Sequence, residues 1–478
     1  MKPIITAQDA EIMDRYIHQL PDWPNFQWQS DELAKKLANV RHHQGRLLGR
    51  IEGFGIGLRD QAALSTLTEE VVKSSEIEGE KLNPEQVRSS LARRLGIDIG
   101  ALTPADRNVE GIVQMILDAT QNYDKPITKE RLFGWHAALF PTGYSGLLKI
   151  TVGQWRPAEA GPMQVVSGPH GKERVHYEAP AAGLIEQEMQ AFIAWFNRDV
   201  PGLDLVLKAA IAHLWFETIH PFEDGNGRIG RALSDMLLAR SEQSAQRYYS
   251  ISGQIKLEQG KYYDHLEETQ KGDLNITKYL GWFLDCLDRA FDGAETILAD
   301  VIRKAKFWEV HAGRSFNDRQ KSMINRMLDG IEGKLTSSKW AKMAKTSQDT
   351  AGRDIEGLLR ANVLVKVPGR GRSTSYAIVV TPADVLRVLA EYVRTFKDIF
   401  VTERPAMLAP DERQKRIDAI EDLAAQIDDL ANAKPQSRYA DFEPILEKLH
   451  KKGFYPDGDL ISAFAFTAHE AAAYHGVQ

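Results

Sequence analysis

Two helical patterns joined by one short loop constrain how the middle of this chain folds. From Val206 to Ile219, apolar side chains recur at Leu207, Ala210, Ile211, Leu214, Trp215 and Ile219, the three-to-four spacing of a buried helix face. Ile229 to Ala239 reads as a second helix. The connection, His220 to Arg231, reads HPFEDGNGRIGR and carries an imidazole, adjacent carboxylates, a glycine-bracketed asparagine and two guanidiniums. Gly225 and Gly227 let the backbone approach a ligand without a Cβ in the way. The free N–H groups at the start of the second helix then face an anion, and two arginines add fork geometry suited to phosphate oxygens. The alternative is a polar connection capped by Asp224 and Asn226 with solvated arginines. A Walker A loop is excluded because no GK(S/T) ending is present, and a zinc site on His213 and His220 lacks a usual ligand spacing.

The loop resembles, position for position, the active-site motif of the Fic family, HxFx(D/E)GNGRxxR. That resemblance implies transfer of AMP from ATP to a protein hydroxyl. It assigns His220 as general base, Asp224 as holder of a Mg²⁺ that bridges phosphate oxygens, and Gly225, Asn226 and Gly227 as the lining of the α- and β-phosphates. Arg228 would help bind those phosphates and Arg231 would grip the γ-phosphate. Phe222 is expected to anchor the loop in the core.

Upstream, Leu67 to Leu82 reads as a helix stopped by Gly79. Within it Ser74, Glu78 and Gly79 resemble the family's inhibitory motif, (S/T)xxxE(G/N). The carboxylate of Glu78 would occupy the Arg231 guanidinium that the γ-phosphate needs, leaving ATP badly aligned for in-line attack. The alternative is a solvated charge at a helix end. Between Leu147 and Pro180 the chain turns glycine- and proline-rich. The runs Met163 to Ser167 (Met163, Gln164, Val165, Val166, Ser167) and Arg174 to Glu178 flank a GPHGK turn, which predicts a β-hairpin. It is similar to the Fic flap, which docks a target protein main chain to main chain; a purely structural hairpin is the alternative. By the same resemblance Tyr262 and Tyr263 would wall the adenine, although aromatics at helical spacing are more often core.

The rest of the chain sets boundaries. With 478 residues, 43% hydrophobic and 26% charged, it has the composition of a globular protein of two or more domains. A net charge of −6 excludes a chain-wide nucleic-acid coat. The single cysteine, Cys286, excludes an intramolecular disulfide framework and suits a reducing compartment. No signal peptide or membrane-length apolar run is visible, so the expected location is the cytoplasm, with no membrane partner. Thr6 to Ile17 predicts a short helix, Trp23, Phe26 and Trp28 a segment pinned to a helical surface, and Asp31 to Gly53 a long helix. Val109 to Gln121 and Lys129 to Leu139 predict two more, the second capped by Thr128. After Val301, two helices (Ser337 to Thr346, Asp349 to Leu359) followed by strand, glycine-arginine loop and strand (Val363 to Ile378) resemble a winged helix. Nine Lys and Arg stand against three Asp and Glu between Lys334 and Arg372, a balance that suits DNA phosphates or, equally, a protein partner. Thr381 to Phe400 and Asp411 to Ala433 read as further helices.

The expectation is a mainly α protein: an N-terminal helical region (1–60), a Fic-type catalytic domain with a β-hairpin flap and an inhibitory helix (61–298), a winged-helix module (301–380) and a helical extension (381–478). The resemblance implies a protein adenylyltransferase using Mg-ATP on a Tyr, Thr or Ser hydroxyl. Removal of AMP from a modified protein, an enzyme doing both, and a DNA-binding regulator with a nucleotide-sensing Fic domain are the alternatives. A homodimer is left open.

Overall fold

The computed structural model describes residues 15–99, 102–168, 174–328, 330–331, 333–367 and 374–379, with isolated positions between 414 and 429. Of the expected helix from Thr6 to Ile17 only residues 15–17 are described, with Tyr16 extended and Ile17 opening a 3-10 turn (Ile17–Gln19); the tip of the hairpin with His170, the basic loop with Arg370 and Arg372, and the helix from Thr381 to Phe400 lie outside the described residues, and of Asp411 to Ala433 only those isolated positions are described. The chain is mainly helical and divides after Val301 into two compact units.

In the first unit, helix α1 (Ser30–Glu52) opens with Asp31 and Glu32 and closes with Arg50, charges that complement its dipole. Helix α2 (Ile56–Ile77) begins well before the expected Leu67, because Ala62, Ala63 and Leu64 continue its buried face. It ends as expected, with Glu78 at the C-cap and Gly79 at φ +81°, a left-handed turn that favours glycine. Helix α3 (Pro84–Leu95) starts on Asn83, whose side chain accepts from the Glu85 and Gln86 N–H groups, and has proline in its first turn. Helices α4 (Arg107–Gln121) and α5 (Lys129–Leu139) are capped by Asp106 and Thr128. They pack so closely that a Cβ on Gly111 would lie 1.7 Å from the Ala138 carbonyl oxygen, so only glycine fits.

Two small hairpins follow. Strands β1 (Tyr144–Ser145) and β2 (Leu148–Lys149) pair, and β3 (Gln164–Ser167) pairs antiparallel with β4 (Arg174–Glu178) with Val165 opposite Tyr177. Helix α6 (Ile185–Asn197) leads to α7 (Leu205–Ile219) and α8 (Asn226–Glu242). Every residue of α7 from Val206 to Ile219 is buried, so it is the unit's central rod and not a helix with one solvent face. Trp23 and Phe26 pack edge-on to Trp215 of α7, with ring centroids 6.2 and 5.9 Å away, pinning the aromatic N-terminal segment as its composition predicts. Helices α9 (Ile251–Leu257), α10 (Gln259–Gln270) and α11 (Thr277–Val310) complete the wrap. Cys286 is buried among apolar neighbours of α11.

The second unit holds α12 (Asp318–Leu328), β5 (Leu335–Thr336), α13 (Ser337–Met343), α14 (Gln348–Arg360), β6 (Leu364–Val367) and β7 (Ser375–Ile378). The strands form an antiparallel sheet of order β5-β7-β6, over a core that includes Trp340, Ile324, Ile355 and Leu358. Among the described residues no helix is long and apolar enough to cross a membrane.

Candidate active site

Helix α7 ends on His220, which takes a left-handed conformation (φ +50°) and donates its N–H to the Phe216 carbonyl at 2.9 Å. A non-glycine residue there costs roughly 1–2 kcal/mol. Arg156 holds the turn. Its Nε donates to the His220 carbonyl at 2.9 Å, its own N–H to the Pro221 carbonyl at 2.9 Å, and a further guanidinium nitrogen to the Pro180 carbonyl. Phe222 plugs the loop into the core as expected, fully buried and stacked on the His136 ring at 4.2 Å with 8° between planes. His136 accepts the Gly153 N–H at Nδ1 (3.1 Å), so its proton sits on Nε2 and points to the Asp224 carbonyl at 3.2 Å. The Asn226 side chain closes the loop from inside, accepting the Phe222 N–H at 3.0 Å and donating to the Phe222 carbonyl at 2.9 Å.

The His220 Nδ1–H donates to the Glu217 carbonyl at 3.3 Å, which leaves Nε2 as the bare nitrogen. Burial lowers its pKa to about 4 and Arg156 pushes the same way, against the Glu217 carbonyl, Glu78 and Asp224. The imidazole is therefore neutral at neutral pH and able to accept a proton.

Beyond it α8 begins on Gly225 (φ +84°), and the first N–H groups of the helix have no intrahelical acceptor. Arg231 is fully buried: Nε donates to the Ser74 hydroxyl at 3.0 Å, and Nη2 to the Ser74 carbonyl and the Glu78 carboxylate, both at 2.8 Å. Its Nη1 is buried without a partner among the described residues. Burial alone would lower this guanidinium's pKa, but Glu78, then Tyr262 and Glu217, more than reverse it. Arg228, also buried, donates to Glu80 at 2.7 Å. Gly227 makes room for the Glu78 carboxylate, since a Cβ there would lie 2.1 Å from Glu78 Oε1.

Asp224 takes the Gly225 N–H at 2.5 Å on Oδ1 and the Ser145 hydroxyl on Oδ2, and its side chain is 37% exposed. Among the described residues no three His, Cys, Asp or Glu side chains converge on a metal position. One hard, accessible carboxylate fits a Mg²⁺ that takes its other ligands from phosphates and water, not a closed protein cage.

The structure gathers His220, Asp224, Gly225, Asn226, Gly227, Arg228 and Arg231 on the connection between α7 and α8, with Ser74 and Glu78 against Arg231. The two tyrosines divide. Tyr262 is buried with its hydroxyl 3.4 Å from His213, whereas Tyr263 is 43% exposed and donates its hydroxyl to the Ile77 carbonyl at 3.2 Å. Strand β3 is exposed throughout, and its outer edge has no strand partner among the described residues. Its partner β4 is fixed to the site: the Tyr177 hydroxyl donates to the Thr218 carbonyl at 2.6 Å, two residues before His220. Arg174 and His176 pair with Glu267 of α10 at 2.8 and 2.5 Å. Glu217, Glu80, Arg156 and His136 are site neighbours that motif reasoning passes over. Only Glu217 leaves a sequence signal, a carboxylate inside the mostly apolar stretch from Leu214 to Ile219.

A buried central helix capped by a histidine is followed by a helix whose start carries two arginines, an arrangement whose chemistry suits an anion. Residues 126–238 match the Fic/DOC family, and the chain carries a Fic/DOC domain; residues 16–97 match a domain of unknown function (DUF4172). The protein adenylyltransferase Fic of Culex quinquefasciatus is 27% identical over 251 residues, 51% of this chain and 45% of that protein. That of Aedes aegypti is 28% identical over 222 residues, 45% of this chain and 39% of that protein. The chain thus spans less than half the length of these relatives. Among solved structures, a Fic family protein from Desulfovibrio desulfuricans aligns at a TM-score of 0.40 and 20% identity, covering 72% of this chain and 96% of that one.

Proposed function

We propose that this chain transfers AMP from ATP to a hydroxyl of a protein. The observation that carries the proposal is the joint placement of a neutral His220 with a bare Nε2 and an anion-binding helix start bearing Arg228 and Arg231. Nε2 takes the proton of the acceptor hydroxyl, whose oxygen bonds to the α-phosphorus. The bond from that phosphorus to the oxygen bridging toward the β-phosphorus breaks, and pyrophosphate leaves with the electron pair. The helix start and Arg228 hold the α- and β-phosphates, and Arg231 holds the γ-phosphate, so the contribution is positioning plus electrostatic stabilisation. Mg²⁺ at Asp224 supplies positive charge to the phosphate oxygens when bound. The open edge of β3, fixed beside His220 through Tyr177, offers main-chain pairing to a polypeptide, which favours a protein over a small acceptor.

In the described conformation Arg231 already has an anionic partner, Glu78. On the proposed reading this pairing holds the enzyme in a low-activity state. Incubation of the full chain with ATP labelled on the α-phosphate and a cell extract tests both points. Glu78→Gly should raise protein labelling about tenfold or more, and His220→Ala in that background should lower it by about 10² or more, the scale of a general base. Labelling that survives His220→Ala overturns the base assignment. If Glu78→Gly instead abolishes release of AMP from a labelled protein, the reaction runs in the removing direction.

A further inference from the structure

Glu217 has no part in the reaction as written, yet its carboxyl lies between the two groups that do the work. It sits on the last turn of α7, three residues before His220, and is 7% exposed. Oε1 is buried with no hydrogen-bond partner among the described residues, and Oε2 lies 3.8 Å from His220 Nδ1. The other ionisable side chains buried in α7 are satisfied. Lys208 donates to the Phe196 and Arg198 carbonyls, and His213 pairs with the Tyr279 hydroxyl at 2.8 Å. Space for the Glu217 carboxyl is made by Gly230 of α8, where a Cβ would lie 2.7 Å from Oε1. Glycine in a helix interior is unfavourable, so its presence opposite an unpaired carboxyl marks a built position.

We propose that Glu217 is the positioning residue for His220: its carboxylate takes the Nδ1–H when Nε2 receives the substrate proton, and balances the charge of the imidazolium. This rests on the proposed transfer reaction. The ring already turns Nδ1 toward Glu217, through the carbonyl at 3.3 Å, so a small rotation exchanges a backbone acceptor for a charged one. Glu217 exchanges no proton with the substrate; its own proton is lost to solvent as pH rises. Arg231, Glu78, Tyr262, Tyr263 and Tyr279 face its carboxyl, and Arg156, Glu78 and Asp224 face His220. Burial first, then Glu78, push the Glu217 pKa up to about 8 against the pull of Arg231. The carboxyl is neutral below that range and ionised above it, so transfer should quicken with rising pH, and removal of Glu78 should move the rise to lower pH.

The test is AMP transfer from α-labelled ATP by the full chain carrying Glu78→Gly, with and without Glu217→Gln, from pH 6 to 9. With Glu217 present, kcat should climb about tenfold across the range. With Glu217→Gln it should stay flat and low while the KM for ATP changes less than about twofold. Superimposable profiles overturn the proposal. Should Glu217→Gln fail to fold, ¹⁵N shifts of the His220 ring in the Glu78→Gly protein, assigned by loss in His220→Ala, serve instead. They should show a second inflection above the ring's own titration as Glu217 ionises, and a single inflection is the contrary result. Absence of transfer by Glu78→Gly at every pH, with the His220 inflections intact, would sink the proposed function and leave the pairing standing.

Discussion

Arg228 and Arg231 both meet carboxylates from the segment that ends α2, Arg231 at Glu78 and Arg228 at Glu80. The two pairs differ in their setting. Arg231 is buried and also fixed by Ser74, whereas the Glu80 side chain is 35% exposed and the 2.7 Å contact to Arg228 is a single one. A partly exposed pair of this kind is worth about 0.2–1 kcal/mol, so Glu80 should weaken nucleotide binding only modestly. Adding Glu80→Ala to Glu78→Gly is expected to lower the KM for ATP by about two- to fivefold with little change in kcat. An unchanged KM would show that Arg228 takes phosphate without releasing Glu80. The (S/T)xxxE(G/N) pattern stops at Gly79, so nothing in the sequence singles out Glu80. Asn226 shows how a motif leaves open which atoms of a residue are available. The motif places it at the phosphates, but its side chain is consumed by the Phe222 backbone, leaving its N–H at the start of α8 for an anion.

Helix α2 is anchored along its body and fastened at its tip. Glu70 is buried and accepts from the Ser250 hydroxyl at 2.7 Å and from the Ser252 N–H at 3.0 Å. The carbonyls that end the helix are held by Lys256, which donates to Glu76 at 2.8 Å, and by Gln259 and Tyr263, which donate to Ile77 at 2.8 and 3.2 Å. The body is therefore a strut, and any motion that frees Arg231 belongs to the last turn. Gln259→Ala combined with Tyr263→Phe should raise basal labelling a fewfold, less than Glu78→Gly does, since hydrogen bonds of this kind contribute about 0.5–1.5 kcal/mol each. The phenyl ring stays, so a wall for adenine would survive the change. Basal labelling equal to that of the unaltered chain would mean these bonds do not hold the turn. Helix α5 is legible to the residue in sequence because Thr128 caps it and its apolar spacing is regular. Helix α7 is not: Lys208, His213 and Glu217 give it apparent polar positions, and only the surrounding helices bury them.

For the molecule as a whole, α3, α6 and the β1–β2 hairpin go unnoticed in the sequence, but most of the other long helices and the β3–β4 hairpin can be read from the chain, because local periodicity and turn residues set them. Which polar groups end up inside cannot, because tertiary packing decides it. The histidines show this most clearly. Burial, first among the causes at each, lowers the pKa of His18, His136, His220 and His311 to about 4 and that of His213 to about 3. Each is neutral in the folded protein at pH values where it is already charged in the unfolded chain. The stability each contributes is complete above its unfolded pKa of 6.5 and is lost as pH falls toward 4. Glu217, raised to about 8, and Asp235, raised well above its usual value, run the other way and lose stability as pH rises from the ordinary carboxylate range. His265 is lowered by burial as well and Glu69 raised by burial and Glu70, and the six histidines outweigh the three acids. Glu267, partly buried yet lowered to about 2 by Lys271, His176 and Arg174, stays charged in the fold while its unfolded counterpart takes up a proton near pH 4.5, so it adds to the same slope at the acid end. The melting temperature measured by calorimetry should therefore fall steadily from pH 6.5 to 4.5, with net proton uptake on unfolding; a flat or rising melting temperature over that interval would show that these histidines are not buried neutral.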